Sequence, residues 1–73
     1  MTFTELYEEE KNKVGGARPM EWLQRVAVAA IVSVETAYQW GVGSRTPHKP
    51  AAALVARELG ISAEELFPNI KNR

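Results

Sequence analysis

An all-α fold, a bundle of about five short helices, follows from three observations. Apolar residues recur three and four positions apart in several segments, the spacing of one helix face. Each such segment begins at a capping residue or proline, and all but the one over about 19–30 end at glycine or proline. No segment alternates apolar and polar residues as a half-buried strand would.

Thr2 and Glu5 form a capping box, in which the hydroxyl and the carboxylate each satisfy a free backbone donor. Phe3, Leu6, Tyr7 and Val14 follow at roughly helical spacing, so helix 1 is expected over about 3–13. The run Glu8-Glu9-Glu10 falls on its outer face. Gly15 and Gly16 then interrupt the pattern, since two glycines cost a helix about 2 kcal/mol relative to alanine.

Pro19 suits the first position of a helix, where no backbone donor is needed. Leu23, Val26, Ala27 and Ala30 give helix 2 over about 19–30, with Trp22 at its edge. Val28 and Ala29 are expected to point outward. Ile31-Val32 is a short apolar joint. Ser33 is a favoured N-cap, and a helix of barely two turns follows, over about 33–41. Ala37 and Trp40, three apart, are its inward residues. Gly43 suits the left-handed position after a helix.

Ser44-Arg45-Thr46-Pro47 reads as a turn. Pro50 belongs in the first turn of helix 4, about 49–59, whose apolar stripe is Leu54, Val55 and Leu59. Gly60 ends it. Ser62 and Glu65 form a second capping box, opening helix 5 over about 63–67, and Pro68 stops it. Asn69 to Arg73 reads as a frayed tail. The shortest segments cannot hold as isolated helices. They must rest on a core of Leu23, Val26, Ala27, Leu54, Leu59 and Phe67.

With 73 residues, a chain is expected to form one domain and to bury about 60% of the surface its unfolded form exposes. A large enclosed active site is not expected. The sequence contains no cysteine, which excludes disulfides and cysteine-bound zinc. Apolar residues make up 45% of the chain, enough for a core and too many for a disordered tail. The longest apolar run, Val26 to Val32, is too short to span a membrane, and no signal peptide is visible. A cytoplasmic location is the expectation.

The formal net charge is zero, but the signs are unevenly placed. Residues 1–40 hold six glutamates and four basic residues; residues 41–73 hold five basic residues and three glutamates. Two solvated faces would explain this. So would an acidic side turned from DNA and a basic side turned to phosphate.

Val26 to Pro47 carries the functional signal. Small Ala27 allows two helices to cross closely. Ala37 and Trp40 pin the following helix, which leaves Val34, Glu35, Tyr38 and Gln39 to reach a major groove. The segment Val32-Ser33-x-x-Thr36-Ala37-Tyr38-Gln39-Trp40-x-x-Gly43-x-Arg45-x-Pro47 resembles the recognition segment of lambda-repressor-like, Cro/C1-type (XRE) helix-turn-helix domains. Leu59-Gly60-Ile61-Ser62-x-x-Glu65-Leu66-Phe67-Pro68 resembles the joint between helices 4 and 5 of that family. The likeness covers about Pro19 to Pro68. The chain departs from the pattern at Ile31, where glycine or a polar residue is common, and at Gly41, where a larger or charged residue is usual.

The resemblance implies a small transcriptional regulator that binds double-stranded DNA through the helix over about 33–41. Ser33 would cap that helix and touch phosphate. Val34 would meet a thymine methyl, and Glu35 would accept from cytosine N4. Gln39 would pair with adenine or reach phosphate. Ser44 and Arg45 would grip the DNA backbone, and Lys49 would add charge at the start of helix 4. Such units gain affinity as dimers on two-fold sites, so a homodimer is an expectation. Glu35 has a second reading, as a carboxylate favoured by the helix dipole. Tyr38 has one as surface cover. His48 reads as a helix-start or surface residue rather than a metal ligand.

No catalytic set, phosphate-cradling glycine loop or metal-ligand spacing is visible, so neither an enzyme nor a cofactor or small-molecule site is expected. The rival reading is a protein-interaction module on the same fold. It draws on the zero net charge, the acidic first helix and an apolar surface at Trp22, Val28 and Ile31.

Overall fold

Caps set the boundaries of the helices. In the computed structural model, which describes residues 1–70, the order is α1 (Phe3–Lys13), α2 (Met20–Ala30), α3 (Val34–Val42), α4 (Lys49–Leu59) and α5 (Ala63–Leu66), with no strand among those residues. Thr2 Oγ1 accepts from the Glu5 amide at 3.1 Å, and Glu5 Oε1 accepts from the Thr2 amide at 2.7 Å. The first capping box is therefore complete. The second is half formed: Ser62 Oγ accepts from the Glu65 amide at 3.2 Å, but the Glu65 carboxylate turns away to the amino group of Met1.

The first four helices stop in one way. Each closes with a left-handed residue followed by a long return hydrogen bond, the Schellman turn. Gly16 N donates to Lys11 O at 2.9 Å, Val32 N to Ala27 O at 2.9 Å, Ser44 N to Gln39 O at 3.0 Å and Ile61 N to Ala56 O at 3.2 Å. Glycine supplies the left-handed residue after α1, α3 and α4, at Gly15, Gly43 and Gly60. After α2 it is Ile31, with φ of 59°. A β-branched side chain is a poor occupant of that region.

The core gathers from every helix. Phe3 and Tyr7 of α1, Leu23, Val26, Ala27 and Ala30 of α2, and Ala37 and Trp40 of α3 are buried. Ala52 and Val55 of α4 join them, with Leu66 and Phe67 at the end of α5. The buried stripe of α4 thus differs from the expected one. Ala52 and Val55 lie innermost, while Leu54 and Leu59 are half-buried at its margins. Ala52 is small enough to let neighbouring helices close over α4, a role that hydrophobicity alone does not reveal. Val14 is exposed rather than packed.

α2 packs on both α3 and α4, α1 lies against α3, and α5 lies against α4. Aromatic rings tie the ends together. Phe3 stacks on Phe67 with centroids 5.1 Å apart and meets Trp22 at the same distance. Trp40 presents its edge to Phe67 at 6.3 Å. Trp22 is therefore half-buried, with its ring packed against Phe3 and Tyr7. Across α2 and α4, Arg25 Nε donates to Glu58 Oε2 at 2.6 Å. The radius of gyration is 11.1 Å, close to the value of about 11 Å for a compact chain of this length.

Part of the expected frayed tail over 69–73 is held in place. Ile70 packs against the core, and its amide donates to Phe67 O at 3.0 Å. The remainder of that expectation, residues 71–73, lies outside the described residues.

Candidate nucleic-acid interface

The face of α3 is defined by what it buries. Ala37, Trp40 and Gly41 turn inward. On a helix of 3.6 residues per turn, the side opposite these three is centred on Glu35, Gln39 and Val42. Glu35 and Val42 are exposed, and Gln39 is half-buried. Val42 was not among the expected contact residues, although its place four residues after Tyr38 and three after Gln39 puts it on this face.

Ser33 begins the helix as expected. Its Oγ accepts from the Thr36 amide at 3.1 Å and lies 3.0 Å from Thr36 Oγ1. The Val34 and Glu35 amides, in the first turn, have no intrahelical acceptor. Val34 itself is half-buried against the core, so only part of its side chain is on offer outside.

α1 takes the flank of α3 that bears Val34, Tyr38 and Gly41. Tyr38 is half-buried there, its ring meeting that of Tyr7 edge-on with centroids 6.1 Å apart. Burial pushes the Tyr7 hydroxyl above its ordinary pKa, and the nearby Tyr38 adds to the shift. The outer face of the Tyr38 ring is covered in turn by Arg18, whose Cζ stands 3.7 Å from the ring centroid. Arg18 Nη1 also lies 3.6 Å from Glu35 Oε1. The outward face is thus narrower than the set Val34, Glu35, Tyr38 and Gln39, and a cation from the α1–α2 loop borders it. Periodicity could not identify Arg18, because its place on α3 depends on the path of a loop.

The loop after α3 is well ordered by hydrogen bonds. Ser44 and Arg45 both donate their amides to Gln39 O, at 3.0 and 3.3 Å, and the Ser44 hydroxyl donates to the same carbonyl at 3.3 Å. Ser44 is exposed, but its proton is engaged in closing the helix. Arg45 and Lys49 are exposed and make no ion pair among the described residues. Pro47, buried between them, fixes the chain's approach to α4. His48 stands at the N-cap of α4 without a side-chain cap bond, and Pro50 lies in the first turn as expected.

The remaining cations of α1 and α2 are spoken for. Lys11 and Lys13 pair with Glu8 and Glu10 within α1, and Arg25 pairs with Glu58. Glu10 raises the Lys13 pKa by its hydrogen bond and its charge. At the end of α2, Val28 is 79% exposed and Ile31 is 84% exposed. Among the described residues, no group of three His, Cys, Asp or Glu side chains is placed to hold a metal ion. No helix there is long and apolar enough to cross a membrane.

No protein-family model, curated protein or solved structure matches the chain.

Proposed function

We propose that this chain binds double-stranded DNA, with the exposed face of α3 entering the major groove, as a small transcriptional regulator of the lambda-repressor-like helix-turn-helix kind. One observation carries the reading. The outward side of α3, with Glu35 and Val42 exposed and Gln39 half-buried, begins at exposed Ser33 and is followed in the chain by exposed Arg45 and Lys49, which make no ion pair among the described residues. Glu35, Gln39 and Val42 supply two hydrogen-bonding groups and one apolar contact to base edges. Ser33, Arg45, Lys49 and the free amides at the starts of α3 and α4 supply phosphate contacts. Ser44 contributes only by turning its proton from the Gln39 carbonyl. Val34 and Tyr38 serve at the margin.

An NMR titration with random-sequence duplex DNA at two salt concentrations tests this. Shifts gathered at 33–42 and 44–49, weakening steeply as salt rises, are the expected result, because neutralised phosphates release counterions. No binding at low salt, or shifts confined to α1, overturns it.

A second reading is favoured by a different observation. Val28 and Ile31 present adjoining apolar side chains at the end of α2, a surface suited to protein contact. On this reading the chain is a protein-interaction module with little DNA affinity. A weak dependence of binding on salt would favour it. The same pair would serve a homodimer if both readings hold.

A further inference from the structure

We infer that Arg18 is a phosphate-gripping residue of the DNA surface, delivered to α3 from the preceding loop; the assignment rests on the DNA-binding reading above. The starting point is a deficit. α3 carries no basic residue, and its exposed first turn carries Glu35. A carboxylate beside a groove lined with phosphates repels the ligand. A surface built for a polyanion therefore needs a cation close to Glu35.

Arg18 fills that need through three features. The first is the path of the chain. Gly15 and Gly16 have φ of 73° and 89°, and a Cβ on either would meet nothing within 4 Å. Glycine is needed there for the backbone turn itself, not to admit a neighbour. The turn reverses the chain out of α1 and carries Arg18 over α3. The second is a fixed base. Pro19 is buried and restricts the backbone of the residue before it, and Met20 N donates to Arg18 O at 2.9 Å.

The third is a platform for the side chain. The guanidinium lies over the Tyr38 ring at 3.7 Å, and Tyr38 rests on Tyr7, which is buried against Gly41. Stacking uses the face of the guanidinium and leaves its edge donors available. The nearest carboxylate oxygen, on Glu35, is 3.6 Å from Nη1, beyond a hydrogen bond. The side chain remains 47% exposed. An exposed ion pair of this kind adds little to folding. Its consequence is electrostatic: the Glu35 charge is offset where phosphate approaches, and a planar donor set is held ready for it.

The test measures binding of the full chain to several unrelated duplexes across a salt series. The variants are Arg18→Ala, Arg18→Lys, Glu35→Gln and the double change Arg18→Ala with Glu35→Gln. Arg18→Ala is expected to weaken binding about tenfold on every duplex, and to lower the slope of log affinity against log salt by about one. Arg18→Lys keeps the slope and recovers part of the affinity, since lysine retains the charge but not the stacked fork. Glu35→Gln raises affinity several-fold in the Arg18→Ala background and less in the native one. Thermal melts of each variant report whether the fold is kept, and Arg18→Gln replaces Arg18→Ala should the latter unfold.

Native affinity and native slope in Arg18→Ala would overturn the assignment while leaving the DNA reading in place. So would a loss confined to one base position. Failure of the native chain to bind any duplex at low salt would overturn the DNA reading itself.

Discussion

Gly41 lies directly beneath the ring of Tyr7, so that a Cβ built on it would stand 2.6 Å from Tyr7 Cδ1 and 2.8 Å from Cγ. Real side chains do not approach so closely. The Tyr7 ring is buried and cannot step aside without disturbing its neighbours. Gly41→Ala gains helix propensity of about 1 kcal/mol and forces α1 away from α3. The net expectation is a loss of about 1–3 kcal/mol, read as a lowered urea midpoint. Unchanged stability would show that α1 does not dock where described.

Ile31 predicts the opposite sign. It holds the left-handed position that glycine fills after α1, α3 and α4. For a non-glycine residue that conformation costs roughly 1–2 kcal/mol. Glycine would relieve this while adding freedom to the unfolded chain, a penalty of about 0.4–1 kcal/mol. Ile31→Gly is therefore expected to stabilise by about 0.5–1 kcal/mol, measured by thermal or urea unfolding. A loss of stability would mean that the exposed side chain has a partner, and sedimentation at several concentrations would reveal a dimer.

Arg45 and Gln39 should differ in kind. Arg45 sits in the loop with no ion-pair partner among the described residues, whereas Gln39 lies on the outward face of α3. Arg45→Ala is expected to weaken binding to all duplexes about equally and to reduce the salt slope by about one. Gln39→Ala is expected to change preference at one base position. Competition assays on a randomised duplex pool separate the two. Identical effects on every sequence would refute the division.

The acid limb of stability should depend on Glu5. The Thr2 backbone amide donates to its carboxylate and holds its pKa below the ordinary 4.5. A depressed pKa contributes stability above the unfolded value, which is lost as pH falls through the folded one. Relative to Glu5→Gln, the native chain should therefore be stabilised at neutral pH. That advantage should shrink below about pH 4.5, toward the lowered folded value. Urea midpoints of both proteins between pH 2 and pH 7 give the comparison. A constant difference would exclude the linkage.

The helices were legible in the sequence because their causes are local. Thr2, Ser33 and Ser62 cap, Gly43 and Gly60 terminate, and the positions of α1 and α4 follow almost to the residue. Ala37 and Trp40 are buried for the reason their spacing suggests. What escaped was determined by packing between elements. Tyr38 fits the outward side of α3 on spacing, yet α1 covers that flank because Gly41 admits Tyr7. Trp22 is half-buried at the edge of α2 as its spacing suggests, but its partner ring, Phe3, comes from α1 and could not be read from the sequence of α2. Arg18 reaches Glu35 and Tyr38 through a loop whose course no periodicity encodes. The reciprocal half of the Ser62 box failed because Glu65 found a distant partner.

The Phe3–Phe67 stack has a dynamic consequence. α5 has four residues and cannot persist alone, and α1 is held at its start by the same ring. These two helices should open together, as one cooperative unit in hydrogen exchange. Since α1 also supplies the floor beneath Tyr38, each such opening would momentarily unseat the guanidinium stacked above it.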